Sequence, residues 1–167
     1  MPPGPTERHN SLLLFGAALL LCLFTGVSPV AADKDAITAA ITKINHYRTD
    51  HDRGIVTMDD RLTRAARRHA KAMADRDFFS HVGADGSRMG QRVTDAGYVW
   101  HLVAENIAAG MTDPSQAVEN WIDSPGHRQN LLLKGAAHIG LAHVRIDPDP
   151  GSTNFKDYWV LLLAAPQ

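Results

Sequence analysis

The chain has 167 residues, with 17 Lys plus Arg against 18 Asp plus Glu and a formal net charge of −1. That balance excludes a bulk electrostatic affinity for nucleic acid or another strongly charged partner, so any electrostatic recognition has to be local. Apolar residues make up 44% and charged residues 21%, ordinary globular usage that excludes a disordered or fibrous chain, and the length suits a single domain with one core.

No side chain from Asn10 to Ala32 is charged, and an apolar centre runs from Leu12 to Phe24. That centre is short of the roughly 20 residues a membrane span needs, and it closes on Pro29, Val30, Ala31 and Ala32, a small-residue cleavage pattern before Asp33. Residues 1–32 are therefore expected to be a signal peptide. The remaining 33–167 would be a secreted or periplasmic domain with no stable membrane anchor. Cys22 is the sole cysteine and lies within the apolar centre, so the exported part would carry no disulfide, thiolate metal site or cysteine nucleophile.

Ile37, Ala40, Ile41, Ile44 and Tyr47 recur at helical spacing and predict an amphipathic helix from about Asp35 to about Asp50. Thr57 with Asp60 has the form of a capping box, and Leu62, Ala66, His69 and Met73 mark the inner face of a helix reaching about Arg76. Arg61, Arg64, Arg68 and Lys71 line its outer side as a solvated basic face, and His69 reads as a hydrogen-bonded core histidine. Between Phe78 and Gly110 glycine becomes frequent and periodicity fades, which predicts loops with at most one short helix near Met89 to Ala96. Asp113-Pro114 and Ser124-Pro125 each read as an N-cap and first turn. They open a helix that turns Ala117, Val118, Trp121 and Ile122 inward and a second, shorter helix that carries His127 and stops at Gly135. Past Gly135 the period becomes two, and strands over Ile139–Ile146 and Phe155–Ala165 are expected to pair antiparallel under the helices, the last of them buried on both faces.

Among the histidines, His81 and His127 sit in polar, glycine-containing surroundings, and between them Glu105 is a lone carboxylate in the apolar run Ala104 to Ala108. Burying a carboxylate without partners is expensive, and an imidazole, a metal or a donor cluster is the usual remedy. Two imidazoles and one carboxylate suffice for a divalent-metal site with open positions, or for acid and base work on a bound water. For Arg128, a groove cation and a partner of Glu105 or Asp123 stand as alternatives. Asn106 and Asn130 are expected to bond loop backbone.

A series of short motifs in fixed order resembles one known family: Asn45 and Arg48; Phe79, Ser80 and His81; Gln91, Arg92, Gly97 and Tyr98; Ala104 to Ala108; Trp121 and Ser124 to Arg128 with Asn130; Ile139 and Gly140; Tyr158 and Trp159. Together they resemble the CAP superfamily, or SCP domain, in its secreted bacterial branch. The resemblance implies an α+β fold, an α/β/α sandwich with a central antiparallel sheet covered by helices, and a large groove with two histidines and up to two acids on its floor. By that resemblance His81, Glu105 and His127 match three of those positions as the catalytic groove site, and Ser124 stands where many relatives place the second acid. His81 and His127 would then hold a divalent metal such as zinc, weakly because an acid is missing. The expected partner is a small-molecule or lipid ligand in the groove of a monomer that binds no nucleic acid. Lipid or sterol binding without turnover and metal-dependent hydrolysis of peptide or cell-wall material are the alternative functions. No complete catalytic constellation is spelled out in the sequence.

Overall fold

The computed structural model describes Met1 and residues 29–167 apart from Pro150 and Asn154. The predicted export segment, up to residue 28 and including Cys22, lies outside the described residues. Elements follow in the order α1 (Pro29–Thr49), β1 (Thr57–Met58), α2 (Asp60–Asp75), α3 (Met89–Asp95), β2 (Trp100–Ala109), α4 (Pro114–Asp123), α5 (Pro125–Leu131), β3 (His138–Arg145) and β4 (Asp157–Pro166). Among the described residues, no helix is long and apolar enough to cross a membrane.

The four strands form one sheet in the order β1-β3-β4-β2. β4 lies between β3 and β2 and pairs antiparallel with both, while β1 adds a two-residue parallel bridge at Thr57 and Met58. Residues 157–165 are all buried, so the continuous apolar run of β4 reflects cover on both faces. One core cluster joins Ile37, Ile41 and Ile44 of α1 and Trp121 of α4 to Leu141, Trp159 and Leu161 of the sheet. The other joins Leu62, Ala66 and Met73 of α2 to Tyr158, Val160 and Leu162. The result is the expected α/β/α sandwich, an α+β fold with the sheet in the middle.

Four local expectations need correcting. Helix α1 begins at Pro29, ahead of Asp35, and proline is tolerated in a first turn because its missing N–H has no helical partner there. Helix α2 is capped by Asp59, whose carboxylate accepts from the N–H groups of Arg61 and Leu62, rather than by Thr57, which is drawn into β1. Helix α5 ends at Leu131, and Gly135 serves the following turn at φ +86°. The largest difference is β2, a ten-residue strand in the region expected to be loops. Its alternation is hidden because both its faces are covered and each carries a polar side chain, Glu105 on one and Asn106 on the other.

Two contacts fix how the layers meet. A Cβ on Gly140 of β3 would lie 2.3 Å from the Leu62 carbonyl carbon and 2.5 Å from the Thr63 nitrogen, so α2 rests backbone against backbone on β3. On the opposite face Arg48, 1% exposed, has only carbonyl partners among the described residues: Gly54 O at 2.9 Å, Leu131 O at 2.6 Å, Leu133 O at 3.3 Å and Ala136 O at 3.4 Å. Its guanidinium therefore closes the C-terminal end of α5, where carbonyls lack helical partners.

Gly140→Ala is expected to lower stability by about 3 kcal/mol, since the methyl meets backbone that cannot rotate away; urea denaturation measures it. Arg48→Met should cost about as much by leaving buried carbonyls unpaired, and hydrogen exchange should show the loss concentrated in α5.

Candidate functional site

Three elements deliver the site. The loop after α2 carries His81, the middle of β2 carries Glu105 and α3 carries Arg92. Glu105 is buried, 5% exposed, and each of its carboxylate oxygens has a partner. Oε1 accepts the Nδ1–H of His81 at 2.9 Å and Oε2 accepts from Arg92 Nη2 at 2.7 Å. Burial pushes the Glu105 carboxyl up, but the His81 hydrogen bond and the Arg92 charge together outweigh it and hold the group below the ordinary carboxylate range. The acid is thus an anion held between two donors.

Arg92 also organises the loop. Its Nη1 donates to Ser87 O at 2.9 Å and its Nη2 to His81 O at 3.1 Å, so one guanidinium ties both ends of the 81–87 segment to the carboxylate. The third support is His69, 2% exposed, whose Nε2–H donates to Ser80 O at 2.9 Å. Burial lowers its pKa and favours the neutral ring, as expected of a core histidine. His69 positions the residue before His81 and does not itself enter the groove.

On the other side, an amide relay fastens α5 to β2. Asn106 Nδ2 donates to His127 O at 3.0 Å, and Asn130 Nδ2 donates to Glu105 O at 3.1 Å and to Asn106 Oδ1 at 2.8 Å. The relay holds the backbone of His127 beside the strand that bears Glu105. His127 Nδ1 is buried without a hydrogen-bond partner, and burial, then the nearness of His81, lowers the pKa of the ring. Arg128 binds Ile122 O at 3.0 Å, so the pairing with Glu105 considered for it is made by Arg92 instead. Ser124 stands at the N-cap of α5 without a side-chain capping bond. Glu119, near the missing acid position, is drawn away by Lys43 at 2.6 Å.

The structure therefore brings His81 and Glu105 into contact, whereas His127 is joined to them through its backbone carbonyl and the Asn106–Asn130 relay, not through its ring. Both oxygens of Glu105 are engaged, and no three His, Cys, Asp or Glu side chains among the described residues converge as a metal cage. By donor chemistry, His81 and His127 are the side chains that would hold an ion, with water or ligand completing its shell. Glu105 fixes the Nδ1–H form of His81, leaving the Nε2 lone pair on a half-exposed ring, the arrangement in which a carboxylate prepares a histidine to ligate. Sequence reasoning missed Arg92 as a member. A lone carboxylate in an apolar stretch calls for a cation, and Arg92 is the nearest arginine before it, but the strand that brings them together was not visible.

Beside these groups runs a groove of about 940 Å³ whose lining includes His81, Glu105, Arg88, Trp100 and Asn130, a size suited to a small-molecule or peptide ligand.

Arg92→Met is expected to cost about 3 kcal/mol by leaving the buried carboxylate with one partner. The wild-type carboxyl has a depressed folded-state pKa, so its contribution is present above the unfolded value of about 4.3 and is lost as pH falls through that range. In the variant, burial is less opposed and the dependence should flatten or reverse. Urea denaturation between acid and neutral pH, with Arg92→Met/Glu105→Gln as the partly rescued control, measures both effects.

The profile of the cysteine-rich secretory protein family, CAP, matches residues 41–163. Among curated proteins, "Uncharacterized protein YkwD" of Bacillus subtilis strain 168 is 31% identical over 87 residues, which cover 52% of this chain and 34% of that protein. The chain thus spans about a third of the length of this relative. An outer surface protein from Borrelia burgdorferi shares the fold with a TM-score of 0.70 at 21% identity, covering 80% of this chain and 95% of that one. An extracellular protein containing an SCP domain from Bacillus anthracis does so with a TM-score of 0.70 at 23% identity, covering 84% and 44%. With the family profile spanning most of the chain and the α/β/α sandwich shared with these structures, the protein belongs to the CAP, or cysteine-rich secretory protein, family.

Proposed function

We propose that the protein is an exported ligand-binding module in which His81, on the groove wall, together with His127 holds a divalent ion such as zinc weakly and reversibly. The observation that carries this reading is the engagement of both Glu105 oxygens by His81 and Arg92. The carboxylate is spent on orienting the imidazole, so the protein offers two imidazole nitrogens and no anionic ligand. Such a set binds more weakly than a site with three or four protein ligands and leaves positions open for a ligand group. The lowered pKa of His127 keeps its ring neutral near pH 7, the form that can ligate. When bound, the ion would supply Lewis acidity toward an oxygen or nitrogen of the ligand.

The chain's own residues do the rest. Glu105 accepts the His81 Nδ1–H and holds the ring orientation. Arg92 keeps Glu105 ionised, and His69 and Arg92 hold the loop backbone on either side of His81. No serine, threonine or cysteine nucleophile is hydrogen-bonded to either imidazole among the described residues, which favours binding over turnover. Export is supported by the uncharged apolar segment from Leu12 to Phe24. An extracellular setting is supported also by two proteins of the same fold, the outer surface protein of Borrelia and the extracellular protein of Bacillus anthracis.

Calorimetric titration with Zn²⁺ tests the reading. Wild type should bind, His81→Ala should lose at least about tenfold in affinity, Glu105→Gln should lose about 10- to 100-fold as a second-sphere change, and His81→Ala/His127→Ala should not bind. Circular dichroism should show the double variant folded, because the amide relay holds the backbone carbonyl of His127 and not its ring. Equal zinc affinity in wild type and the double variant would falsify the assignment.

A further inference from the structure

The outer edge of β2 is covered over only part of its length, and the ladder shows which of its backbone groups are open. Gly110 N–H donates to Asp157 O on the β2 side of β4, and Ile146 N–H donates to Lys156 O on the β3 side. Odd-numbered residues of β4 therefore face β2, and their partners Ala104, Asn106 and Ala108 face back. Val103, Glu105 and Ile107 turn their N–H and C=O groups to the outer edge. Side chains confirm this parity: the outward carbonyl of Glu105 accepts from Asn130 Nδ2 and that of Ile107 from Trp121 Nε1, both at 3.1 Å.

Toward the start of the strand that cover stops. Val103 N–H, Val103 C=O and Glu105 N–H have no protein partner among the described residues, and Val103, Ala104 and Glu105 line the groove. Open backbone groups at strand spacing along a groove wall form a template for another strand. Charge narrows the choice of occupant. Arg88 lines the same groove and has no carboxylate partner among the described residues, whereas the negative charge of Glu105 is already met by His81 and Arg92.

We propose that the groove takes an extended peptide bearing an acidic side chain, which adds as a strand to the outer edge of β2 by pairing with Val103 and Glu105 and sets its carboxylate toward Arg88. This rests on the groove being the ligand site and names the ligand class. One peptide residue exchanges both backbone bonds with Val103, and another two positions along reaches Glu105 N–H, a spacing every extended chain supplies. Specificity then comes from the charge and from side chains at alternate positions.

The test uses the full protein and capped octapeptides of alternating serine and valine with one glutamate moved along the chain, plus lysine counterparts, read by ¹⁵N NMR titration. Glutamate peptides should bind at least about tenfold more tightly than lysine ones, slowing hydrogen exchange at the Val103 and Glu105 amides. N-methylation of the best peptide at alternate residues should weaken binding at least about tenfold in one register and little in the other. Val103→Pro removes an outward N–H without taking a ladder bond and should weaken the peptide while leaving zinc affinity unchanged; should it misfold, the N-methyl series still decides. Absence of binding at millimolar peptide, or equal tolerance of N-methylation in both registers, overturns the inference. Zinc titration without peptide separates that outcome from failure of the metal site.

Discussion

A carboxylate placed in the middle of a buried strand must be neutralised or protonated, and that constraint organises the front of this molecule. Glu105 is kept ionised by one imidazole and one guanidinium, one on each oxygen. Because Arg92 also grips the backbone at His81 and Ser87, the acid, the histidine and the connecting loop form one unit. Loss of any member leaves buried charge or buried carbonyl groups without partners.

The layers converge on that unit from both faces of the sheet. Helix α2 lies against β3 through Gly140 and supplies His69, which holds the peptide just before His81. From the opposite face Asn106 and Asn130 lock α5 against β2, and Arg48 closes the far end of α5. The position of His127 is therefore set by bonds to backbone and amide groups rather than by its ring. A rigid frame around a half-exposed imidazole is what a binding site needs if it is to be preorganised without a permanent ion.

Much of this was legible in the sequence, for identifiable reasons. Helices α1, α2 and α4 each bury one stripe, so their periodicity is clean, and β4 shows as an unbroken apolar run because it is central. His81, Glu105 and His127 stood out because they are polar residues in glycine-containing or apolar settings. What stayed hidden depends on tertiary structure. β2 lost its alternation because Val103 and Glu105 face α2 and α3 while Ala104 and Asn106 face α5. Once β2 is read as a loop, nothing connects Arg92 to Glu105, and Arg128, next to His127, becomes the more natural partner. Asp59 and Thr57 compete for one cap, and the competition is settled by the pairing of Thr57 with His138, a contact far away in sequence. The convergence of acid and imidazole followed from the motif order, whereas the engagement of both acid oxygens did not.

The central claim is that Glu105 imposes one ring form on His81, with the proton on Nδ1 and the lone pair on Nε2. Long-range ¹H–¹⁵N correlation of the His81 ring, at a pH where it is neutral, measures this directly. Nδ1 should carry the proton in wild type, and that preference should weaken in Glu105→Gln. A ring protonated at Nε2 in the wild-type protein, or one unchanged by the substitution, would contradict the claim.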